Sequence, residues 1–258
     1  MQRSTPLNFW LVGTIKESGN ESPHQGEPSG DNSTDGLSKS MAREKTTDKG
    51  RIGTVLFDFG GVIAEEGFKQ GLSHLARERG LEEQSFLAAA FDATYATGYV
   101  LGRGTEGQFW EEVRRKTGLS GPEVSLWDDI YPRFTIRNWM LSLIDRLRTK
   151  GLKVGILSDQ TDMLDRLNER HDFFRRFDYV FNSYHLNKGK RDISLFDDIA
   201  AILQSEPERL LFIDDHPGHI ERARQKGWQA LLYSDRESLE RELARILPSY
   251  GAEGPTAG

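Results

Sequence analysis

From residue 54 onward, short apolar runs alternate with stretches of helical periodicity. Five runs rich in Val, Ile, Leu, Phe or Tyr predict buried strands at residues 54–58, 153–158, 179–181, 210–215 and 230–233. Apolar residues that recur every three or four positions predict helices at residues 138–150, 161–170, 194–203, 218–226 and 236–247. Strands that alternate with helices favour an α/β fold, in which a Rossmann-like parallel sheet has helices on both faces.

Residues 66–137 break this alternation. They show helical periodicity, no convincing strand and Gly-rich turns, and they predict four helices at residues 68–79, 82–95, 105–117 and 123–131. We therefore expect a helical cap domain, residues 66–137, inserted after strand 1 of a core formed by residues 51–65 and 138–248. Such an insert would overhang the carboxyl edge of the sheet, where open α/β sheets bind their ligands.

Both ends of the chain have compositions typical of disorder. Residues 1–50 are rich in Ser, Thr, Gly, Asn, Glu and Lys and offer little apolar surface to offset the entropy of ordering. We predict a disordered segment at residues 1–50, a frayed tail at residues 249–258, and a biological start at Met41.

The net charge and the lack of cysteine exclude several classes of ligand and of catalysis. The chain has 34 Lys and Arg against 40 Asp and Glu, so its net charge of −6 creates no overall attraction to nucleic acid or anionic lipid. The absence of cysteine excludes thiolate catalysis, disulfides and cysteine metal sites, and suits a reducing cytoplasm. No apolar run reaches the length of a membrane-spanning helix. We expect a cytoplasmic protein with a small-molecule ligand and no nucleic-acid or membrane partner; the sequence identifies no protein partner.

Polar residues follow three of the predicted strands, and in a parallel sheet such residues share one edge. Asp58 precedes a Gly-Gly turn, Ser158 ends the second strand, and Asp214 and Asp215 end the fourth. Taken alone, Asp58 is equally consistent with an Asx turn that caps its strand. Together with Lys190 in the segment 183–196, however, these motifs resemble the haloacid dehalogenase superfamily of hydrolases over residues 53–247. The resemblance is to the Asp-x-Gly-Gly-Val subgroup with a helical cap.

The resemblance implies a set of site residues. Asp58 would be a nucleophile that attacks phosphorus and splits one difficult displacement into two easier ones. Ser158, Asp159 and Lys190 would contact the phosphate, whose negative charge needs preset donors and cations. Mg²⁺ would be held by the Asp58 side chain, the backbone carbonyl of Gly60, Asp214 and Asp215. Independently of the resemblance, three carboxylates at one edge repel one another unless a cation lies among them, and oxygen ligands suit Mg²⁺.

One residue departs from the pattern of phosphatases in this superfamily. They usually carry a second aspartate, a general acid and base, two positions after the nucleophile, where this chain has Gly60. Loss of such a group typically lowers a rate by about 10²–10⁴-fold. His216 or His219 could substitute, although we expect them rather to cap a helix or to face solvent. His219 and Asp159 both stand where the superfamily often has Asn.

Gly60 leaves two alternatives open beside a phosphatase. Dehalogenases of the superfamily also lack the second aspartate and need no metal, because halide leaves without a proton. A pseudo-enzyme or binding module would keep the fold without turnover. The Asp214–Asp215 pair makes most sense around a cation, so we favour a Mg²⁺-dependent phosphatase of a small phosphomonoester, such as a sugar phosphate or nucleotide.

The cap contains candidate pocket residues. Five residues could line a pocket above Asp58: Tyr99, Arg103, Trp110, Trp127 and Tyr131. Aromatic residues at helical spacing are more often core, and we assign Trp110 and Trp127 to the core. Lys188 and Arg191 flank Lys190, and we expect both to lie in a solvated loop.

Overall fold

A parallel sheet of five strands forms the centre of the described part of the chain. The computed structural model describes residues 51–247; the predictions for residues 1–50, the start at Met41 and the tail at residues 249–258 lie outside the described residues. The strands follow the order β3-β2-β1-β4-β5, and all neighbouring strands are parallel. Their bounds are β1 Thr54–Phe57, β2 Lys153–Ser158, β3 Tyr179–Asn182, β4 Leu210–Asp214 and β5 Gln229–Leu232. The predicted Rossmann-like sheet is confirmed.

Helices cover both faces of this sheet. Side chains of the central strand point alternately to the two faces, and each face is buried in its own hydrophobic core. Val55 and Phe57 belong to one buried cluster, and Leu56 belongs to the other. The helices are α1 Gly67–Glu78, α2 Glu83–Ala96, α3 Glu106–Thr117, α4 Asn138–Thr149, α5 Met163–His171, α6 Ser183–Leu186, α7 Ser194–Ile202, α8 Pro217–Gln225 and α9 Arg236–Ile246. Within residues 51–247, no helix is long and apolar enough to cross a membrane.

The chain between β1 and α4 is helical, as expected for an insert at this place. We call residues 66–137 the cap segment; its bounds as a domain remain a prediction. Three of its four predicted helices form as α1, α2 and α3, but the fourth prediction was wrong. The chain forms a π-helical turn, Leu126–Ile130, and a 3₁₀ turn, Tyr131–Arg133. The Ser125 side chain accepts a hydrogen bond from the amide of Asp128 and delays the start, and Pro132 provides no amide hydrogen to continue the helix.

The loop that follows β1 is fixed where the cap segment returns to the core. Arg137 donates hydrogen bonds to the carbonyls of Gly61 and Val62, and its Nε lies 2.9 Å from Glu65 Oε1. Gly61 has φ of +79°, and a β-carbon there would collide with the Asp215 carboxylate. Glycine is therefore required at position 61 both by the backbone conformation and by the closeness of Asp215.

Candidate active site

The carboxyl ends of three adjacent strands bring the predicted polar residues together. Asp58 follows β1, and its neighbours in the sheet end in Ser158 and Asp214. Ser158 Oγ donates to Asp58 Oδ1 over 2.6 Å, and the Phe59 amide donates to the same oxygen over 2.7 Å. These two bonds fix the orientation of the Asp58 carboxylate, and the residue as a whole is 8% exposed.

Lys190 connects the carboxylates of two strands. Its Nζ lies 2.9 Å from Asp58 Oδ2 and 2.6 Å from Asp214 Oδ2, and the residue is 1% exposed. Burial alone would lower the pKa of Lys190, but the charges of Asp214 and Asp58 outweigh it and raise the pKa above its ordinary value. Lys190 therefore provides a permanent positive charge at the sheet edge.

Three carboxylates face one another across this edge. One oxygen of each of Asp58, Asp214 and Asp215 lies within 4.8 Å of the others. Burial raises the pKa of Asp58. The positive charge of Lys190 opposes this increase, and the negative charge of Asp214 adds to it. The pKa of Asp215 is raised by burial and by the charge of Asp214. Burial also opposes ionisation of Asp214, but Lys190 and a hydrogen bond from His219 more than offset it and lower its pKa.

This cluster fits a divalent cation. When all three carboxylates are ionised, Lys190 neutralises one charge and leaves an excess of two negative charges on buried Asp58 and Asp214 and exposed Asp215. Hard oxygen donors of this kind suit Mg²⁺. Gly60 lines the same cavity as Asp58 and Asp215, and the part of its carbonyl in metal binding remains a prediction.

Asp159 supports the loop that carries Lys190. Its carboxylate accepts a hydrogen bond from the Lys190 amide, over 2.9 Å to Oδ1, and another from the Tyr95 hydroxyl. A carboxylate repels an anionic phosphate and donates no hydrogen bond to it. The geometry therefore favours a positioning role for the Asp159 side chain.

The two histidines after Asp215 differ in what they contact. His216 Nδ1 accepts a hydrogen bond from the Gly218 amide and caps α8, as expected. His219 is partly buried, and its Nδ1 lies 3.1 Å from Asp214 Oδ2. Burial lowers the pKa of His219 despite this contact with Asp214. The two rings stack with centroids 4.4 Å apart, and both line the cavity.

A cavity of about 570 Å³ lies between this sheet edge and the cap segment. Of the five candidate pocket residues, Tyr131 lines it. The other four are engaged elsewhere: Tyr99 donates to Asp162, Arg103 to the Asn187 carbonyl and Trp110 to Glu106, while Arg166 stacks on Trp127. Trp110 is buried core, as expected, whereas Trp127 is only partly buried.

The cap wall of the cavity, formed by residues of the cap segment, carries apolar side chains, hydroxyls and two charged residues, Glu66 and Lys69. Its apolar members are Phe68, Leu87, Phe91 and Val100. Its hydroxyls are already engaged: Thr94 donates to the Phe91 carbonyl, Tyr95 to Asp159, and Tyr131 shares a hydrogen bond with Thr161. Lys188 pairs with Asp198. Arg191 is exposed in its loop, as expected, and it also lines the cavity and stacks 3.6 Å above the Tyr95 ring.

Sequence reasoning missed Glu66. Its carboxylate lines the cavity, and a β-carbon placed on Gly60 would lie 3.1 Å from Glu66 Oε2. Burial and the charge of Asp215 raise the pKa of Glu66. The only signal in the sequence was an acid just before the first cap helix, which is also a common helix-start pattern.

Comparison with known families identifies the class of this fold and site. A family profile described as haloacid dehalogenase-like hydrolase matches residues 52–227. The chain therefore belongs to the haloacid dehalogenase-like hydrolases.

Two curated relatives cover different parts of the chain. Bifunctional epoxide hydrolase 2 of Rattus norvegicus is 25% identical over 219 residues, which are 77% of this chain and 39% of that protein. Enolase-phosphatase E1 of a Picosynechococcus strain is 28% identical over 130 residues, which are 48% of this chain and 50% of that protein. The match thus spans half or less of each of these relatives.

Solved structures share the fold. A HAD family enzyme of Bacteroides thetaiotaomicron superposes with a TM-score of 0.59 at 20% identity, over 75% of this chain and 98% of that one. The L-2-haloacid dehalogenase of Xanthobacter autotrophicus superposes with a TM-score of 0.54 at 19% identity, over 78% and 86% of the two chains. At these identities the likeness concerns the fold alone.

Proposed function

We propose that this hydrolase is a Mg²⁺-dependent phosphatase that acts on a small phosphomonoester through an aspartyl-phosphate on Asp58. The proposal rests mainly on the cluster of three carboxylates within 4.8 Å of one another, of which Asp58 and Asp214 pair with the ammonium of Lys190. A cluster with this excess negative charge suits a divalent cation and a phosphoryl group held together, whereas a neutral ester intermediate on carbon would not need it.

Each site residue has its own role in the first step, the transfer of the phosphoryl group to Asp58. The Asp58 carboxylate, oriented by Ser158 and the Phe59 amide, attacks phosphorus. Lys190 lies beside the attacking group and stabilises the negative charge of the transferring phosphoryl oxygens. A bound Mg²⁺ would be held by Asp58, Asp214 and Asp215, and it would neutralise charge on the phosphate and keep Asp58 ionised despite its burial. The Bacteroides enzyme cited above has also been solved in complex with magnesium and inorganic phosphate.

The cap wall favours substrates with a flat or apolar organic group. Its hydroxyls are engaged within the protein, so a bare sugar would find only the charged groups of Glu66 and Lys69 as polar partners on this wall. Phe68, Leu87 and Phe91 instead offer apolar surface, and Arg191 adds a positive charge near the phosphate end. Of the two expected classes, these contacts favour a nucleotide over a sugar phosphate.

Hydrolysis of p-nitrophenyl phosphate tests this function. Its leaving group needs no proton, so turnover depends on the nucleophile and the cation alone. We expect turnover with Mg²⁺, none after chelation, and a loss of about 10³-fold or more in Asp58→Asn. Asp235→Asn is a matched control, because this carboxylate caps α9 and does not line the cavity. Activity that survives in Asp58→Asn would overturn the assignment.

The same assay separates the alternatives. Release of halide from 2-haloacids without Mg²⁺, with no phosphate ester turned over, would establish dehalogenation instead. Silence toward both substrate classes, in a protein that stays folded and binds Mg²⁺, would favour a binding module.

A further inference from the structure

The carboxylate of Glu66 lies where an aspartate at position 60 would extend. A β-carbon built on Gly60 would be 3.1 Å from Glu66 Oε2 and 3.3 Å from Gln160 Nε2. Gly60 and Glu66 line the cavity together with Asp58 and Asp215. The side chain that is missing at position 60 is thus matched in space by a carboxylate six residues later in the chain.

The backbone on both sides of Glu66 is fixed. Before it, Glu65 forms an ion pair with Arg137, with 2.9 Å between Oε1 and Nε. After it, Gly67 packs so closely against Phe134 that a β-carbon there would lie 2.6 Å from the Phe134 amide nitrogen. The Glu66 side chain therefore starts from a position that is set by the core and not by a free loop.

We propose that Glu66 is the general acid and base of the phosphatase reaction, in place of the aspartate that Gly60 lacks. This inference rests on the proposed function. It concerns a residue that reaches the cavity from the start of the cap segment, so closure of the cap and delivery of the proton would share one element.

The proposed reaction has two steps. Asp58 forms a bond to phosphorus while the bond from phosphorus to the ester oxygen breaks, and the Glu66 carboxyl gives its proton to that oxygen, which leaves as an alcohol. Glu66, now a carboxylate, takes a proton from the water that attacks phosphorus. The bond from phosphorus to Asp58 then breaks and releases inorganic phosphate, with Asp58 ionised and Glu66 protonated again.

Glu66→Gln tests the proposal through its dependence on the leaving group. We compare kcat/KM, which reports the first chemical step, for p-nitrophenyl phosphate and for a primary alkyl phosphate. The alkyl ester should lose about 10²–10⁴-fold and the nitrophenyl ester less than about tenfold. Glu65→Gln, at the neighbouring acid outside the cavity lining, is the matched control and should affect both esters equally. An equal loss on both esters in Glu66→Gln, or no loss, overturns the proposal.

A second variant guards against a structural effect, because a carboxylate at a helix N-terminus also stabilises the helix by about 0.3–1 kcal/mol. The double variant Gly60→Asp, Glu66→Ala removes the close approach and returns an acid to position 60, whose backbone φ suits any residue. It should recover at least tenfold in kcat/KM on the alkyl ester relative to Glu66→Ala; no recovery would contradict the proposal.

If the wild-type protein with Mg²⁺ hydrolyses neither ester, the proposed function fails first. If it hydrolyses the nitrophenyl ester alone, only the role of Glu66 fails.

Discussion

The two walls of the cavity are built in different ways. The sheet-edge wall takes buried Asp58 and Asp214 from strand ends, and buried Lys190 forms an ion pair with each of them. The cap wall takes apolar side chains from the helices α1 and α2 and uses its hydroxyls internally. Charge that is buried and fixed serves a chemical step, whereas apolar surface serves selection of the organic group. Damage to the charged groups of the cavity should therefore change rate and stability, and damage to the apolar side chains of the cap wall should change binding.

The largest effect is expected from Lys190→Met. Because the Lys190 pKa lies above its ordinary value, its charge stabilises the fold at neutral pH, and its loss leaves Asp58 and Asp214 buried without a cation. We expect the free energy of unfolding, measured with denaturant in a chelator, to fall by about 3–5 kcal/mol. Lys153→Met, which breaks an exposed pair with Asp178, should cost less than about 1 kcal/mol.

Adding Asp58→Asn to Lys190→Met tests whether the loss of stability comes from repulsion between the buried carboxylates. Burial raises the Asp58 pKa in the folded state, so ionisation of this carboxyl opposes folding once the pH lies above its ordinary pKa. The double variant should thus be more stable than Lys190→Met alone at neutral pH without metal. If it is less stable, repulsion among the carboxylates is not what Lys190 relieves.

An intermediate effect is expected on the cap wall. Phe91→Ala removes apolar surface from the cavity and its edge contact with Phe68, whose ring centroid is 5.4 Å away. KM for p-nitrophenyl phosphate should rise by about tenfold with kcat little changed. Inorganic phosphate is small enough to contact only the sheet-edge wall, so its inhibition constant should stay unchanged. A parallel loss in phosphate affinity would show that the two walls are not separate.

The smallest effect is expected where the walls meet. Tyr95→Phe removes the hydroxyl that binds Asp159 but leaves the ring on which Arg191 stacks. Since the Lys190 amide still holds Asp159, kcat/KM should fall by no more than about fivefold, the loss of one hydrogen bond. Tyr99→Phe, whose hydroxyl donates to Asp162 outside the cavity lining, is the control and should leave kcat/KM unchanged.

The sequence predicted the sheet-edge wall far better than the cap wall. Strand ends such as Asp58 and Ser158 are readable because parallel strands bring their carboxyl ends to one edge. Which face of a cap helix meets that edge depends on packing angles that periodicity does not encode, so Tyr95 and Glu66 were missed. Trp127 and Tyr131 show the same limit, since both are aromatic residues of one predicted helix and only Tyr131 lines the cavity.

The most direct test of the central claim is to find the phosphoryl group on Asp58. The wild-type protein with Mg²⁺ is mixed with p-nitrophenyl phosphate, quenched in acid within one turnover, digested and analysed by peptide mass. The account predicts that the peptide containing Asp58 gains the mass of one phosphoryl group, and that the same peptide from Asp58→Asn does not. Turnover of the ester without any phosphorylation of that peptide would contradict it.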